Sequence, residues 1–256
     1  MLVLLSPSKS QRFPADRSPN PVELTAPRML DAAAAVVAAV RHLERDELAG
    51  RLKLSDALTD EVAASYRAWT GDPEPAHGAP AIVAYTGETY RGFDAAGLTP
   101  DVARYAQQHL RILSALYGML RPFDLIEPYR LDFAARLQVV GARSLYGYWR
   151  DRNTSLLIRD LEATGSRAVV NLASTEFARA VDPGALDVPF VTPAFRQERA
   201  GALQSVTVFS KQARGRMARW IMEEQLATPE QLAEFNADGY TYRPDLSSKD
   251  EPVFVR

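Results

Sequence analysis

Cysteine is absent from this chain of 256 residues, and histidine occurs only three times. The lack of cysteine excludes disulfides, thiolate-bound zinc, iron–sulfur clusters and a cysteine nucleophile. His42, His77 and His109 have neither metal-ligand spacing nor an HExxH motif, so we interpret them as structural or surface residues. The sequence also lacks a G-x-G-x-x-G motif, a Walker A loop and a G-x-S-x-G elbow. We therefore expect no metal and no cofactor.

Long apolar runs are also missing. The apolar start, Leu2–Leu5, is followed at once by the polar residues 6–9, and no basic residues precede it. This pattern does not fit a signal peptide. The alanine-rich stretch 31–40 is much shorter than the roughly 20 residues that a membrane span needs. We expect a cytoplasmic protein that does not associate with membranes.

The overall charge is nearly balanced, at −2 with a pI of about 6.0, whereas nucleic-acid-binding domains are usually basic. The charge is unevenly distributed, however. Residues 193–220 carry an excess of five positive charges, and residues 221–256 carry an excess of five negative charges. This asymmetry is compatible with a local basic face on a slightly acidic chain.

The pattern of apolar residues predicts a single mixed α/β domain over residues 1–256, with helices around a modest sheet. Short apolar runs predict strands over residues 2–5, 81–85, 168–171, 190–195, 203–209 and 253–255. Apolar residues at helical spacing predict helices over residues 28–45, 46–54, 56–69, 99–116, 145–163, 175–181 and 211–226.

Polar residues follow the predicted strands, where ligand sites of α/β proteins cluster. Lys9, one of only four lysines, is a candidate anion ligand or nucleophile, and a turn that happens to contain a lysine explains it equally well. Two glycines in residues 85–92 allow close approach to a ligand, although we favour an ordinary turn. Asn171, Ser174 and Glu176 precede or begin a short helix whose free N–H groups suit an anion, and Ser174 is equally explained as a cap.

A fourth candidate segment begins the helix predicted from residue 211. Lys211 and Arg214 lie three residues apart on one helix face, and Arg216 follows. Cations at a helix N-terminus are unfavourable by up to about 1 kcal/mol each, so a bound anion explains them better than a structural role. If the strand ends converge, they form one polar cleft around Lys9, Asn171, Glu176, Lys211 and Arg214.

Seven segments also match a known family in order, from residue 1 to about residue 243. They are LVLLSPSK, YTGETYRGF, AQQHLRILSALYGMLRPFDLIEPYRLDF, LYGYWRD, NLASTEF, FSKQARGRMARWI and FNADGYTYR. With these segments the chain resembles the YaaA family, the peroxide-stress-resistance proteins of bacteria. The resemblance implies a cytoplasmic protein that supports survival under hydrogen peroxide by limiting free iron and oxidative damage.

The resemblance further implies an unusual α/β fold, described as cantaloupe-like, with a positively charged cleft, a helix-hairpin-helix element and DNA binding. In this chain that element corresponds to about residues 100–130, with a helix that ends near Leu116 and a hairpin over residues 117–122. Gly118 would allow the tight turn, and Arg121 would supply charge for phosphates. Such hairpins commonly have two glycines, whereas this one has a single glycine.

Two classes of function follow. In the first, the chain binds double-stranded DNA through phosphate contacts, without reading the sequence and with strong salt dependence. The residues proposed for these contacts are Lys9, Arg111, Gly118, Arg121, Arg130, Asn171, Ser174, Lys211, Arg214 and Arg216. The sequence shows no clustered set of iron ligands, so we expect any effect on iron to be indirect.

In the second class, an enzyme acts on a small phosphorylated or nucleobase-like substrate in the Lys9/Asn171/Glu176/Lys211 cleft. Glu176 would be the general base, and Lys9 or Lys211 would stabilise charge or act as the nucleophile. Because a carboxylate repels phosphate, an inward-pointing Glu176 would favour an enzyme. A third interpretation, a scaffold that docks through the acidic residues 221–256, rests on charge alone, which a solvated surface explains more simply.

Overall fold

A computed structural model describes residues 1–13, 22–74, 77–199 and 201–256. Within these ranges the chain forms eleven short strands: β1 (Leu2–Leu5), β2 (Ala79–Pro80), β3 (Leu110–Ser114), β4 (Gly118–Leu120), β5 (Leu125–Ile126), β6 (Val169–Asn171), β7 (Phe190–Val191), β8 (Ala194–Arg199), β9 (Ala202–Gln204), β10 (Thr241–Tyr242) and β11 (Val253–Val255).

The same ranges contain nine α-helices together with a few short 3₁₀ turns. The helices are α1 (Leu30–Arg41), α2 (Arg45–Leu52), α3 (Asp56–Ala68), α4 (Ala81–Ala84), α5 (Glu88–Phe93), α6 (Pro100–His109), α7 (Leu145–Thr164), α8 (Thr175–Ala178) and α9 (Thr207–Glu223). The predicted mixed α/β class is therefore confirmed. None of the described helices has the length and hydropathy that crossing a membrane requires.

The main sheet has five strands in the order β4-β3-β1-β6-β7. β1 lies in the middle and pairs in parallel with both β3 and β6, whereas β4 runs antiparallel to β3. All four residues of β1 are buried, because both faces of this central strand are covered. That burial explains why the strand appears in the sequence as an uninterrupted apolar run.

A second sheet, in the order β10-β11-β8-β9, packs around a cluster of aromatic side chains. Phe195 stacks on Phe254, and both rings contact Phe235. Trp220 of α9 packs against Phe235 as well, so the cluster joins this sheet to one face of α9. The strand predicted near residues 253–255 is confirmed as β11, which is fully buried.

Two helices begin where the sequence predicted, and each has a side-chain cap. α6 begins at Pro100, and the Thr99 hydroxyl accepts a hydrogen bond from the Val102 amide. α7 begins at Leu145, and the Ser144 hydroxyl accepts from the Gly147 amide. These caps satisfy amides that the helix itself leaves without partners, which is why the signals can be recognised in the sequence.

The helix predicted over residues 99–116 is too long. It ends at His109, and the next five residues form strand β3, which pairs with β1. All five residues of β3 are buried, including Arg111 and Ser114, and so short a segment has no period that separates a strand from a continued helix. Pairing with β1, far away in the sequence, decides the conformation.

The helix-hairpin-helix expected at about residues 100–130 is not formed by these residues. α6 is followed by the antiparallel hairpin of β3 and β4, whose strands pair Ile112 with Leu120 and Ser114 with Gly118. Gly118 has a φ of +74°, and a Cβ at this position would lie 2.5 Å from Met29 and Trp149. Glycine is therefore required for a buried β-turn rather than for an exposed phosphate-binding hairpin.

Two further predictions are corrected at element boundaries. Residues 81–85 were expected to form a strand, but residues 81–84 form α4, whose first amides donate to the carbonyls of Asp124 and Pro122. Residues 203–209 were also expected to be a strand, but α9 already begins at Thr207. Ser210 consequently lies inside α9, and its hydroxyl donates to the Phe195 carbonyl.

Candidate functional site

The cleft forms between β1 and β6, two neighbouring strands of the main sheet from which the chain leaves towards opposite sides of the sheet. From β1 the chain continues to β3 on one side, and from β6 it continues to β7 on the other side. Loops that leave adjacent parallel strands in opposite directions open a crevice at the carboxyl ends of those strands. The loop of residues 6–11 and the segment of residues 172–177, which includes the start of α8, line this crevice, which we name the strand-end cleft.

Hydrogen bonds connect the two loops at the base of the strand-end cleft. The Ser174 amide donates to the Ser6 hydroxyl at 2.8 Å, and the two serine hydroxyls lie 3.4 Å apart. The Tyr90 hydroxyl donates to the Ser6 carbonyl at 2.9 Å, which joins α5 to the same point. Ser174 thus holds the loops together through its main chain, and the short α8 begins directly after it.

The opposite wall of the cleft is formed by α5 and α9, which cross at unusually short distance. A Cβ on Gly92 would clash with the Gln212 carbonyl, and a Cβ on Gly215 would clash with the Thr89 carbonyl. Because both positions are glycine, the two helix backbones touch. This contact places Lys211 and Arg214, in the turn before Gly215, against the cleft.

The strand-end cleft has a volume of about 720 Å³ and a mixed but predominantly positive lining. Its five cationic side chains are Lys9, Arg91, Arg130, Lys211 and Arg214, and its three carboxylates are Glu88, Asp132 and Glu176. The structure therefore brings together six of the residues singled out in the sequence, namely Lys9, Arg130, Ser174, Glu176, Lys211 and Arg214.

Several of these charges neutralise one another. The Lys9 Nζ lies 2.5 Å from an Asp132 carboxylate oxygen. Arg91 pairs with Glu88 at 2.7 Å, and the Gln212 amide donates to the other oxygen of that carboxylate. Asp132 thus orients the ammonium group of Lys9. The ion pair of Arg91 and Glu88 on α5 adds no net charge to the cleft.

Four charged side chains at the cleft have no oppositely charged partner among the described residues: Arg130, Glu176, Lys211 and Arg214. Lys211 is exposed, and Arg130 is half-buried. One oxygen of Glu176 accepts a long hydrogen bond, 3.4 Å, from the Ala134 amide. Unpaired cations beside an unpaired carboxylate form a site that can bind an anion and move a proton.

Arg214 has the most unusual surroundings of the four. It is partly buried, and its Nε is fully enclosed without a hydrogen-bond partner in the described part of the chain. Burial lowers the pKa of its guanidinium group, because the charged form loses water that no carboxylate replaces. A buried cation without a partner is costly to the folded state, and a bound anion would supply the missing partner.

A second cavity of about 490 Å³ adjoins the cleft, and we name it the side cavity. Arg214 and Thr175 line both spaces. Asn171, which the sequence assigned to the cleft itself, lies in the side cavity instead. The Asn171 amide donates to the Thr192 hydroxyl at 3.2 Å, and its carbonyl oxygen accepts from the Ala173 amide.

Four residues proposed for phosphate contact lie away from the cleft. Arg111 is buried, and its Nε lies 2.5 Å from a carboxylate oxygen of Asp160. Arg28 forms a second ion pair with the same carboxylate. Arg121 forms an ion pair with the buried carboxylate of Asp124, and Gly118 lies in the core. Neither residue is therefore part of an exposed hairpin that could contact phosphates. Arg216 pairs with Asp238 at 2.5 Å beside a different pocket.

The cleft also contains residues that the sequence did not single out individually as site candidates, although Glu88 and Arg91 lie in the candidate segment 85–92. Tyr129 and Asp132 line it from the loop after β5, and Glu88 and Arg91 line it from α5. The segments EPYRLDF and YTGETYRGF, which carried the family resemblance, contain these residues. Among the described residues no group of three or more His, Asp or Glu side chains is close enough to hold a metal ion.

Fold and site define an α/β protein with a cation-lined cleft at the switch point of a parallel sheet. The family model of peroxide stress protein YaaA matches residues 1–246. UPF0246 proteins of Ruegeria pomeroyi and Idiomarina loihiensis are 40% and 38% identical over the whole chain and 98% of their own length. A UPF0246 protein of Dinoroseobacter shibae is 41% identical over the whole chain and 95% of its own length. The chain therefore belongs to the peroxide stress protein YaaA family, as the sequence resemblance predicted.

Proposed function

We propose that the strand-end cleft binds a small phosphate-bearing molecule and that the protein acts on it as an enzyme. The observation that carries this proposal is Arg214, a partly buried guanidinium that lines the cleft without a partner among the described residues. Arginine binds phosphate through charge-assisted, often bidentate hydrogen bonds. Lys211 and Arg130, which also line the cleft and pair with no carboxylate in the described ranges, would complete the anion site.

Glu176 is the feature that favours an enzyme over a passive phosphate site. Its carboxylate lines the same cleft and has no cationic partner in the described ranges. A site that only held phosphate would gain nothing from a carboxylate, which repels the ligand. As a general base Glu176 would accept a proton from the bound molecule, and Lys9, oriented by Asp132, would stabilise developing negative charge.

Calorimetric titration with inorganic phosphate and ribose 5-phosphate tests the anion site. Arg214→Met should weaken binding by about tenfold or more, because a charge-assisted hydrogen bond contributes roughly 1.5–3 kcal/mol. Arg216→Met is the matched control, since it removes an arginine two residues away that pairs with Asp238 outside the cleft. Equal affinity in the wild type and Arg214→Met, or no phosphate binding at all, would contradict the proposal.

A second candidate function is sequence-independent DNA binding, as the family resemblance implies. The observation that favours it is the excess of cations at the cleft, of which Lys211 is exposed and unpaired among the described residues. Since residues 110–120 form a buried β-hairpin, the phosphate contacts would have to come from cleft residues rather than from a helix-hairpin-helix.

Fluorescence anisotropy with duplex DNA across a salt series tests this second candidate. If α9 contacts phosphates, the slope of log affinity against log salt should become shallower by up to about 2 in the double variant Lys211→Ala/Arg214→Ala. Glu176→Gln separates the two functions. DNA affinity should hold or rise because a repelling charge is lost, whereas catalysis on a small substrate should collapse. Absence of DNA binding at low salt would rule out the second candidate.

A further inference from the structure

The side cavity has several apolar side chains in its lining. Ala178 lines it from α8, Val181 from the segment after that helix, and Phe190 from β7. Its volume of about 490 Å³ lies within the range of small-molecule pockets, roughly 300–1,000 Å³, and accommodates a planar ring system. The cleft, in contrast, is lined mainly by charged and hydroxyl side chains.

Polar groups in the side cavity still have hydrogen-bonding capacity. Asn171 is buried, and each end of its amide makes one hydrogen bond within the protein, to Thr192 and from Ala173. An amide can make four such bonds, so one N–H and one oxygen lone pair have no partner among the described residues. The Thr192 hydroxyl accepts from Asn171 and donates to no group of the described residues. A neighbouring donor and acceptor are what the edge of a nucleobase requires.

Arg179 adds a surface on which a ring can stack. Its guanidinium lies over the Tyr146 ring, 4.4 Å from the ring centroid, and both residues line the side cavity. The other neighbour of Tyr146 is Phe133, which stacks on it with ring centroids 5.3 Å apart. Arg179 is therefore held against a fixed aromatic platform, and guanidinium groups held in this way stack on bases.

From these contacts we infer that the ligand is a nucleotide whose base occupies the side cavity and whose phosphate binds Arg214 at the boundary with the cleft. Arg214 and Thr175 line both spaces, so one molecule can occupy the two at once. The rest of the nucleotide then extends towards Glu176 and Lys9. This inference rests on the proposed function, since it requires the phosphate to bind at Arg214.

Titration calorimetry on the full chain tests the inference with AMP, GMP, CMP and UMP against ribose 5-phosphate. At least one nucleotide should bind about tenfold more tightly than ribose 5-phosphate, because only the nucleotide fills the side cavity. Thr192→Val, a nearly isosteric change, should remove most of that difference and leave the affinity for ribose 5-phosphate unchanged. Phe190→Ala, at a partly exposed position on β7, should also reduce the affinity difference between the nucleotide and ribose 5-phosphate.

The outcomes separate this inference from the proposal on which it rests. Suppose that Arg214→Met weakens the binding of ribose 5-phosphate but no nucleotide binds the wild type more tightly than ribose 5-phosphate does. The proposed phosphate site is then supported, and the nucleotide inference is overturned. The nucleotide inference is also overturned if Thr192→Val weakens the binding of all probes, including ribose 5-phosphate, to the same degree. If neither ribose 5-phosphate nor any nucleotide binds the wild type, both fail.

A final arm distinguishes a free nucleotide from one at the end of a DNA strand. Titration with a short 5′-phosphorylated single-stranded oligonucleotide should show affinity similar to that of the mononucleotide if the protein binds a strand end. Much weaker binding of the oligonucleotide would identify a free nucleotide as the ligand. Either result supports a base in the side cavity, provided that Thr192→Val weakens the tighter probe.

Discussion

Two arginines, Arg111 and Arg214, show how differently one residue type is used in this molecule. Arg111 is buried beside Asp160, and hydrogen bonds from Arg111 and Arg28 satisfy both oxygens of that carboxylate. Burial alone would raise the pKa of Asp160, but these two arginines outweigh it and lower the pKa. Arg214 has no such carboxylate among the described residues. Arg111 therefore stabilises the fold, whereas Arg214 is available to a ligand.

This difference predicts opposite effects on stability. Arg214→Met should leave the free energy of unfolding unchanged or raise it by about 1 kcal/mol, because it removes a partly buried charge that has no partner in the described part of the chain and keeps the apolar stem. Arg111→Met should lower the free energy of unfolding by about 3 kcal/mol, since Asp160 would lose one of its partners inside the protein. Urea denaturation of both variants measures this. A loss in Arg214→Met as large as that in Arg111→Met would show that Arg214 is structural.

At the scale of elements, the crossing of α5 and α9 determines where the cleft cations lie. Gly92 and Gly215 allow the two helix backbones to touch, and α9 carries Lys211 and Arg214 on the same stretch. α9 also begins at Thr207, so neither cation occupies the first turn. The conflict with the helix dipole, which led us to expect an anion there, is consequently smaller than expected. The surroundings of Arg214 provide the stronger argument.

Gly215→Ala should destabilise the protein by about 2 kcal/mol, because the added methyl group clashes with the Thr89 carbonyl and separates the helices. The shift of α9 should also weaken binding of ribose 5-phosphate. Thermal and urea denaturation measure the first effect, and calorimetry measures the second.

The control for this substitution is Gly50→Ala in α2, where a Cβ would meet nothing within 4 Å. Alanine is the better helix former by up to about 1 kcal/mol, so this variant should be as stable as the wild type or more stable. If Gly215→Ala were stabilised to the same degree as Gly50→Ala, the close contact between α5 and α9 would be disproved.

At the scale of the whole molecule, stability should depend on pH through His109, where α6 meets β3. Burial lowers the pKa of His109 to about 4, and the nearby N-terminal amino group acts in the same direction. Between about pH 6.5 and pH 4 the unfolded chain binds a proton that the folded chain does not bind, so acid favours unfolding. The free energy of unfolding should therefore fall by about 1 kcal/mol from pH 7 to pH 5, after allowance for partial exposure of the ring.

Urea denaturation at several pH values measures this dependence. His109→Gln should flatten the curve between pH 7 and pH 5, because glutamine has no proton to gain. His42→Gln, at an exposed position directly after α1, should keep the wild-type pH dependence because His109 is still present. An unchanged pH profile in His109→Gln would assign the dependence to other groups.

The sequence by itself determined those features that depend on neighbouring residues. β1 and β6 are recognisable because strands buried on both faces are largely apolar, and polar residues such as Lys9 and Glu176 follow within a few positions. The start of α6 is recognisable because Thr99 satisfies a free helix amide and Pro100 suits the first turn. The family membership is also encoded at this level, since seven segments match it in order.

Only the tertiary structure decided which of these residues meet. Pairing with β1 turns residues 110–114 into a strand, and this buries Arg111 beside Asp160 instead of exposing it to a ligand. The opposite connections from β1 and β6 open the cleft, and the contact of α5 with α9 adds Arg214 to it. These outcomes depend on contacts between residues far apart in the sequence, and a local pattern of side chains carries no information about their distance in space.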